Sequence, residues 1–348
     1  MQSLAIKYRP KTWDDVTEQS SAVIILRQQL QSSEIKNAYL FCGPAGCGKT
    51  TCARIFANEL NKGQGNPIEL DAASNNSVDD VREIIQQAKT QSLNSEYKIF
   101  IIDECHALSN SAWQAMLKLI EEPPAKSIFI FCTTDPQKIP KTIISRVQRY
   151  DFQRISQCGI VERLRHICDV EFAVDADALI RLEALEYIAK LADGGMRDAI
   201  TMLDKCLAYS KEVTLANVVI ALGAVEYDVM FKFTDAFIDA QQKQLIETIE
   251  KLYTDGRDLK LFVSAYLKFL LDVCKYSLNC PEEYIGIPML ADYKEWLDDA
   301  VSDSYSLSRV YDLLDVFVKL NASVRYSTMI KYELEAVILN AVDSVPEK

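Results

Sequence analysis

The stretch Gly43-Pro44-Ala45-Gly46-Cys47-Gly48-Lys49-Thr50 places glycines, a lysine and a hydroxyl at the spacing G-x-x-x-x-G-K-[ST]. Backbone N–H groups of such a loop wrap phosphate oxygens, and the helix after it turns its positive end toward them. Lys49 then reaches the outer phosphates of a nucleoside triphosphate, and the Thr50 hydroxyl ligates Mg²⁺. The expected nucleotide-binding set runs from Gly43 through Thr51. A second group follows in Ile99-Phe100-Ile101-Ile102-Asp103-Glu104, an apolar run ending in two acids. Asp103 is suited to hold the hydrated Mg²⁺, and Glu104 to polarise a water for attack on the γ-phosphate. A third, Thr133-Thr134, ends another apolar run, and a hydroxyl there fits the attacking water or the γ-phosphate. Arg146 lies beyond it, near the edge of the same region. It is either an ordinary solvated residue or a finger that stabilises charge on a neighbouring subunit's phosphate.

These groups need elements to hold them. Tyr39–Cys42 predicts a strand running into the Gly-rich loop, and Thr50–Leu60 the helix after it. Pro67–Leu70, Lys98–Ile102 and Ile128–Cys132 predict further strands. Val78–Lys89 reads as an amphipathic helix capped at Ser77, and Ser111–Ile120 as a helix stopped by Pro123-Pro124. Strands alternating with helices predict a mostly parallel sheet covered on both faces. From about Ser156 the pattern is helical, with Gly159–Asp169, Ala178–Ala192 and Met196–Tyr209 as segments and Gly194-Gly195 as a break. The expected division is an α/β P-loop domain over 1–156, a small helical domain over 157–213 and an all-helical domain over 214–348.

The chain has 348 residues, 49% of them hydrophobic, enough for more than one core. Its net charge of -12 argues against a protein that coats nucleic acid non-specifically, so any DNA contact is expected to be local. The N-terminus has no secretory pattern and the apolar runs are strand-sized, so no membrane partner is expected and the location reads as cytoplasmic. The ten cysteines include no C-x-x-C pair and read as buried free thiols.

Taken together the motifs resemble the gamma/tau clamp-loader ATPases of bacterial DNA polymerase III, an AAA+ family. The resemblance is carried by Lys7-Tyr8-Arg9-Pro10, the Gly43–Thr50 loop, Glu69-Leu70-Asp71-Ala72-Ala73-Ser74 and Ile102-Asp103-Glu104. It continues through Leu119-Ile120-Glu121-Glu122-Pro123-Pro124, Thr133-Thr134-Asp135-Pro136-Gln137-Lys138, Ser145-Arg146 and Gly195-Met196-Arg197-Asp198. The helical stretch after Val213 matches only in character, as a collar. The resemblance implies that Tyr8, Arg9 and Val16 border adenine and ribose, and that Thr134 is a first sensor of the γ-phosphate. It makes Arg197, on a lid domain, a second sensor, and Arg146 a finger offered in trans. Arg82, on the helix after Asp71–Ser77, is implied to touch a DNA phosphate, with a plain surface charge as the alternative. ATP and Mg²⁺ are the implied cofactors. A sliding clamp, primed DNA and further clamp-loader subunits in a ring or spiral are the implied partners, in a bacterial or phage-infected cell.

Three departures from the family pattern stand out. Only Asn61–Asn66 occupies the place of a four-cysteine zinc module, so no zinc is expected. Val147 replaces the Cys usual after Ser-Arg. No tau-type tail follows the collar, so the extensions that bind helicase and polymerase are expected to be missing. Two other functions remain as alternatives: a non-catalytic clamp-loader subunit, or a different AAA+ machine such as a branch-migration motor. The intact Lys49, Thr50, Asp103, Glu104 and Arg197 weigh against the first, and the Glu-Glu-Pro-Pro and Thr-Thr-Asp-Pro-Gln-Lys segments against the second.

Overall fold

The computed structural model describes residues 2–32, 34–90, 94–172, 179–222, 227–287, 289, 291–324, 327 and 329–343. The chain divides into two compact units, Met1–Val218 and Val219–Lys348.

In the first unit β1 (Ala38–Cys42), β2 (Ile68–Asp71), β3 (Lys98–Asp103), β4 (Ser127–Thr133) and β5 (Gln148–Asp151) form one parallel sheet in the order β2-β3-β4-β1-β5. Helices α1 (Leu4–Lys7), α2 (Ser20–Ser32), α3 (Lys49–Leu60), α4 (Val78–Ala88), α5 (Asn110–Glu121) and α6 (Lys141–Ile144) are interleaved with the strands. Then come α7 (Gln157–Phe172), α8 (Leu182–Leu191) and α9 (Met196–Tyr209).

The inner strands are apolar along their length because both faces are covered. Side chains alternate between the faces with period two. Leu40, Phe100, Ile102, Phe129 and Phe131 pack with Val81 and Ile84 of α4 and with Trp113 and Met116 of α5. Tyr39, Phe41, Ile99, Ile101 and Ile130 pack the other way, on Leu26 of α2 and on Ile55 and Phe56 of α3. Removing one of these rings, as in Phe131→Ala, costs about 3–5 kcal/mol. Helix α4 starts where expected: Ser77 Oγ accepts from the Asp80 N–H at 3.2 Å, and the Asp80 carboxylate accepts from the Ser77 N–H at 3.0 Å.

Several elements differ from the sequence expectation. The edge strand β5 and helices α1, α2 and α6 have no counterpart in it. In β5 only Tyr150 is buried, so its charged neighbours mask the strand pattern. The helix expected over Ala178–Ala192 begins at Leu182, because Ile180 pairs in parallel with Val213 and holds Arg181 extended. Ala178 itself lies outside the described residues.

The second unit is helical, with Tyr227–Ile238, Gln242–Thr254, Leu259–Ser277, Ala291–Ser302, Ser304–Val324 and Ile330–Asp343. Its core is aromatic, built on Phe233, Phe262, Tyr266, Phe269 and Phe317. Two buried polar side chains find partners inside it, although Arg309 Nε itself bonds to nothing among the described residues. Tyr266 Oη lies 2.6 Å from Thr234 Oγ1. Arg309 sits over the Phe237 ring, 4.2 Å from its centroid, and donates to the Phe237 carbonyl. No helix among the described residues is long and apolar enough to cross a membrane.

Candidate nucleotide site

The carboxyl ends of β1, β3 and β4 bring the chemistry-bearing residues together, as parallel sheets do at the crevice beyond their strands. The loop leaving β1 is anchored at both sides. The Gly43 N–H donates to the Thr133 carbonyl of β4 at 3.2 Å, and the Phe152 N–H donates to the Cys42 carbonyl at 2.7 Å. Gly43 has φ +154°, and a Cβ there would lie 2.4 Å from the Phe152 carbonyl oxygen, so only glycine fits.

Lys49 opens α3 and is buried, with its ammonium donating to the carbonyls of Gly43 at 2.8 Å and Pro44 at 2.7 Å. The Thr50 hydroxyl donates to Asp103 Oδ2 at 2.8 Å, joining the start of α3 to the end of β3. The chain then turns sharply: Glu104 has left-handed backbone (φ 46°), and its N–H donates to Asp103 Oδ1 at 3.0 Å. That turn aims the Glu104 carboxylate across to β4, where Thr134 Oγ1 donates to Oε2 at 2.9 Å. His106 Nδ1 lies 3.3 Å from the same oxygen and 3.1 Å from Thr133 Oγ1. Cys47 is held neutral by burial, with Sγ 3.0 Å from the Pro44 carbonyl.

A cavity of about 610 Å³ opens over this constellation. Tyr8, Arg9, Val16, the loop from Ala45 through Thr51, Asp103, Glu104 and Arg197 all line it. Gly43 and Pro44 are outside its lining but make the loop's base. Thr134 is also outside the lining and reaches the site through Glu104. Arg197 enters from the first turn of α9 and has no ion-pair or hydrogen-bond partner for its guanidinium among the described residues.

Arg146 and Arg82 do not join this group. Arg146 follows α6, where it pairs with Glu121 at 2.7 Å and donates to the Thr142 carbonyl at 2.8 Å. Arg82 is exposed on α4 and pairs with Asp79 at 2.6 Å.

The cavity also has walls to which the sequence assigned no role. Arg54 pairs with Glu69, and both line it, as do Asp71 and Arg163. Arg54 stands one helical turn after Thr50, a spacing that would have put it on the same face. Arg163 gives no such local signal, since its partner, the Tyr8 carbonyl, lies on a distant segment. Thr50 and Asp103 are hard oxygen donors at the mouth of an amide-lined loop, a donor set that fits Mg²⁺ shared with phosphate oxygens.

A family profile described as "DNA polymerase III clamp loader subunit, ATPase lid domain" matches residues 159–212. Another, "DNA polymerase III, delta subunit", matches 68–156. The tau subunit of DNA polymerase III from Bacillus subtilis is 33% identical, over 97% of this chain and 62% of its own length. The gamma/tau subunit of Mycobacterium tuberculosis is 34% identical over 77% of this chain and 50% of its own. The Escherichia coli tau subunit is 30% identical over 80% and 46%. The chain thus spans about half to three-fifths of these relatives. Among solved structures, the Thermotoga maritima RuvB Holliday junction branch migration motor matches with a TM-score of 0.51 and 20% identity, over 72% of this chain and 86% of that one. At that identity the likeness is one of fold.

Proposed function

Since the chain belongs to the clamp-loader AAA+ ATPases of the DNA polymerase III gamma/tau type, we propose that it hydrolyses ATP to open a sliding clamp and place it on primed DNA. One observation carries the reading: Lys49 and Thr50 from the start of α3, Asp103 and Glu104 from the end of β3, and Arg197 from the helices after the sheet line a single cavity.

In this reading the Gly43–Gly48 amides and the start of α3 bind the triphosphate, and Lys49 leaves its carbonyl partners to meet the outer phosphates. Thr50 and Asp103 would hold Mg²⁺, which would supply neutralisation of charge at the phosphate oxygens. Glu104 orients the attacking water and takes its proton, while Thr134 fixes the carboxylate that does so. Arg197, unpaired among the described residues and on the lid, reports the γ-phosphate by drawing the lid onto it. Tyr8, Arg9 and Val16 flank the nucleoside.

Arg146 is outside its own cavity, which supports a role on the ATP of the next subunit. Such head-to-tail use builds a ring or open spiral, in which residues 1–156 serve as the ATPase domain, 157–213 as the lid and 214–348 as the collar. Arg82 offers a local contact to DNA phosphate, and the cytoplasm is the place of action.

Nucleotide binding measured beside turnover tests the site. Lys49→Ala should abolish ATP binding. Glu104→Gln should bind ATP as the wild type does and lose about 10²–10⁴-fold in hydrolysis. Wild-type turnover by Glu104→Gln would remove Glu104 from its role.

A further inference from the structure

The segment ahead of the sheet is fastened in two different places. From Thr12 onward it is tied mainly to the sheet and its covering helices: Trp13 is buried beside Leu26 and Phe56, and its Nε1 donates to Glu59 of α3 at 2.7 Å, although further on Glu18 accepts from the Ser156 N–H at 2.7 Å just ahead of α7. Ahead of Pro10 the polar contacts go instead to the helices after the sheet. The Leu4 N–H donates to Asp204 of α9 at 3.2 Å. Lys7 Nζ and Tyr8 Oη both donate to Glu171 Oε1 of α7, at 2.6 and 2.8 Å. Arg163 of α7 donates to the Tyr8 carbonyl at 3.1 Å. Lys7, then Tyr8, hold the Glu171 carboxyl below its ordinary value, so it is anionic at neutral pH.

This same short strap is cavity wall. Ala5, Tyr8 and Arg9 line the cavity together with Arg163, Met196 and Ile200. With a triphosphate seated on the Gly43–Thr50 loop, the wall left for base and ribose includes the strap and the helices it is clipped to, beside Val16, Thr17 and Ile155. The strap's polar contacts thus run to those helices and not to the phosphate loop.

We infer that Glu171 and Arg163 are positioning residues that clip the strap Leu4–Tyr8 to the lid, so that they set recognition of the nucleoside part of ATP and not of its phosphates. The inference rests on reading the cavity as an ATP site. Neither residue touches the reacting atoms; both act through Tyr8. Lid position and nucleoside binding then become one equilibrium, and weakening the clip weakens the grip on the base.

The test uses the full-length chain with Mg²⁺, as wild type, Glu171→Gln, Tyr8→Phe and the double variant. ATP binding is measured by titration calorimetry, and inorganic tripolyphosphate, which has the phosphates without the nucleoside, is measured as its competitor. Glu171→Gln should weaken ATP about fivefold, the scale of one charge-assisted hydrogen bond, and leave tripolyphosphate within about twofold. In turnover it should raise KM for ATP by the same factor with kcat unchanged. The double variant should be no weaker than Glu171→Gln alone, because the Tyr8 hydroxyl acts through Glu171. Equal weakening of both ligands, no weakening of ATP, a fall in kcat at constant KM, or an additive double variant would each overturn the inference. A wild type that binds no ATP would instead bring down the reading of the cavity, and the inference with it.

Discussion

Replacing Gly43 with alanine isolates the joint between the phosphate loop and the sheet. A Cβ at this position would lie 2.4 Å from the Phe152 carbonyl oxygen and 2.9 Å from Phe152 Cβ. Phe152 cannot withdraw, because its N–H bonds the Cys42 carbonyl at 2.7 Å and its ring packs 5.2 Å from that of Phe41. A positive φ costs a non-glycine residue about 1–2 kcal/mol, and forced overlap in a packed region about 1–3 kcal/mol. The sum, about 2–5 kcal/mol, corresponds to a drop of about 4–20 °C in Tm for a unit of this size. Gly48→Ala is the matched control. Gly48 has φ +104°, but an added methyl would meet nothing within 4 Å, so only the strain of about 1–2 kcal/mol remains. The assay is scanning calorimetry of the full chain without nucleotide, following the transition that ATP and Mg²⁺ raise in the wild type. A Gly43→Ala protein that melts within about 2 °C of wild type, or above Gly48→Ala, would refute the steric argument.

Thr134→Val keeps the shape and removes the hydroxyl that holds Glu104. Hydrolysis should fall by about 10–100-fold with ATP affinity little changed, measured by single-turnover kinetics and calorimetry. Burial pushes Cys42 up to about 11 and Cys52 up to about 12, so both stay neutral thiols at pH 8. Alkylation of the native protein at that pH should therefore modify the exposed Cys158 first and leave Cys42 and Cys52 untouched, as peptide mapping would reveal. Because their folded pKa values are raised, their contribution to stability is present below the ordinary thiol value and is lost as pH climbs through about 11 to 12.

The strands that carry chemistry are legible in the sequence because they are buried on both faces. Runs such as Ile99–Ile102 and Ile128–Cys132 leave no other reading once a Gly-rich loop and a pair of acids sit at their ends. Short-range chemistry is equally legible: the Ser77 cap, the Pro123-Pro124 stop and the Gly194-Gly195 break are local effects. What escapes depends on distant partners. Strand β5 exists because β1 offers it an edge, and its own residues, Gln148-Arg149-Tyr150-Asp151, look like a surface loop. The extension at Ile180 depends on Val213. The clip that Arg163 and Glu171 make depends on a strap near the other end of the unit, and no spacing rule connects them. Arg146 is legible as a residue type but not as a position, since its pairing with Glu121 follows from how α5 and α6 pack.

The most direct measurement is the ATPase rate with and without a sliding clamp and primed DNA, for wild type and Arg146→Ala, with partner subunits supplied. The account predicts strong stimulation of the wild type. It predicts loss of that stimulation in Arg146→Ala by about a hundredfold or more, since an arginine finger contributes about 10³–10⁵ in kcat. A wild-type rate indifferent to clamp and primed DNA, or full stimulation in Arg146→Ala, would contradict it.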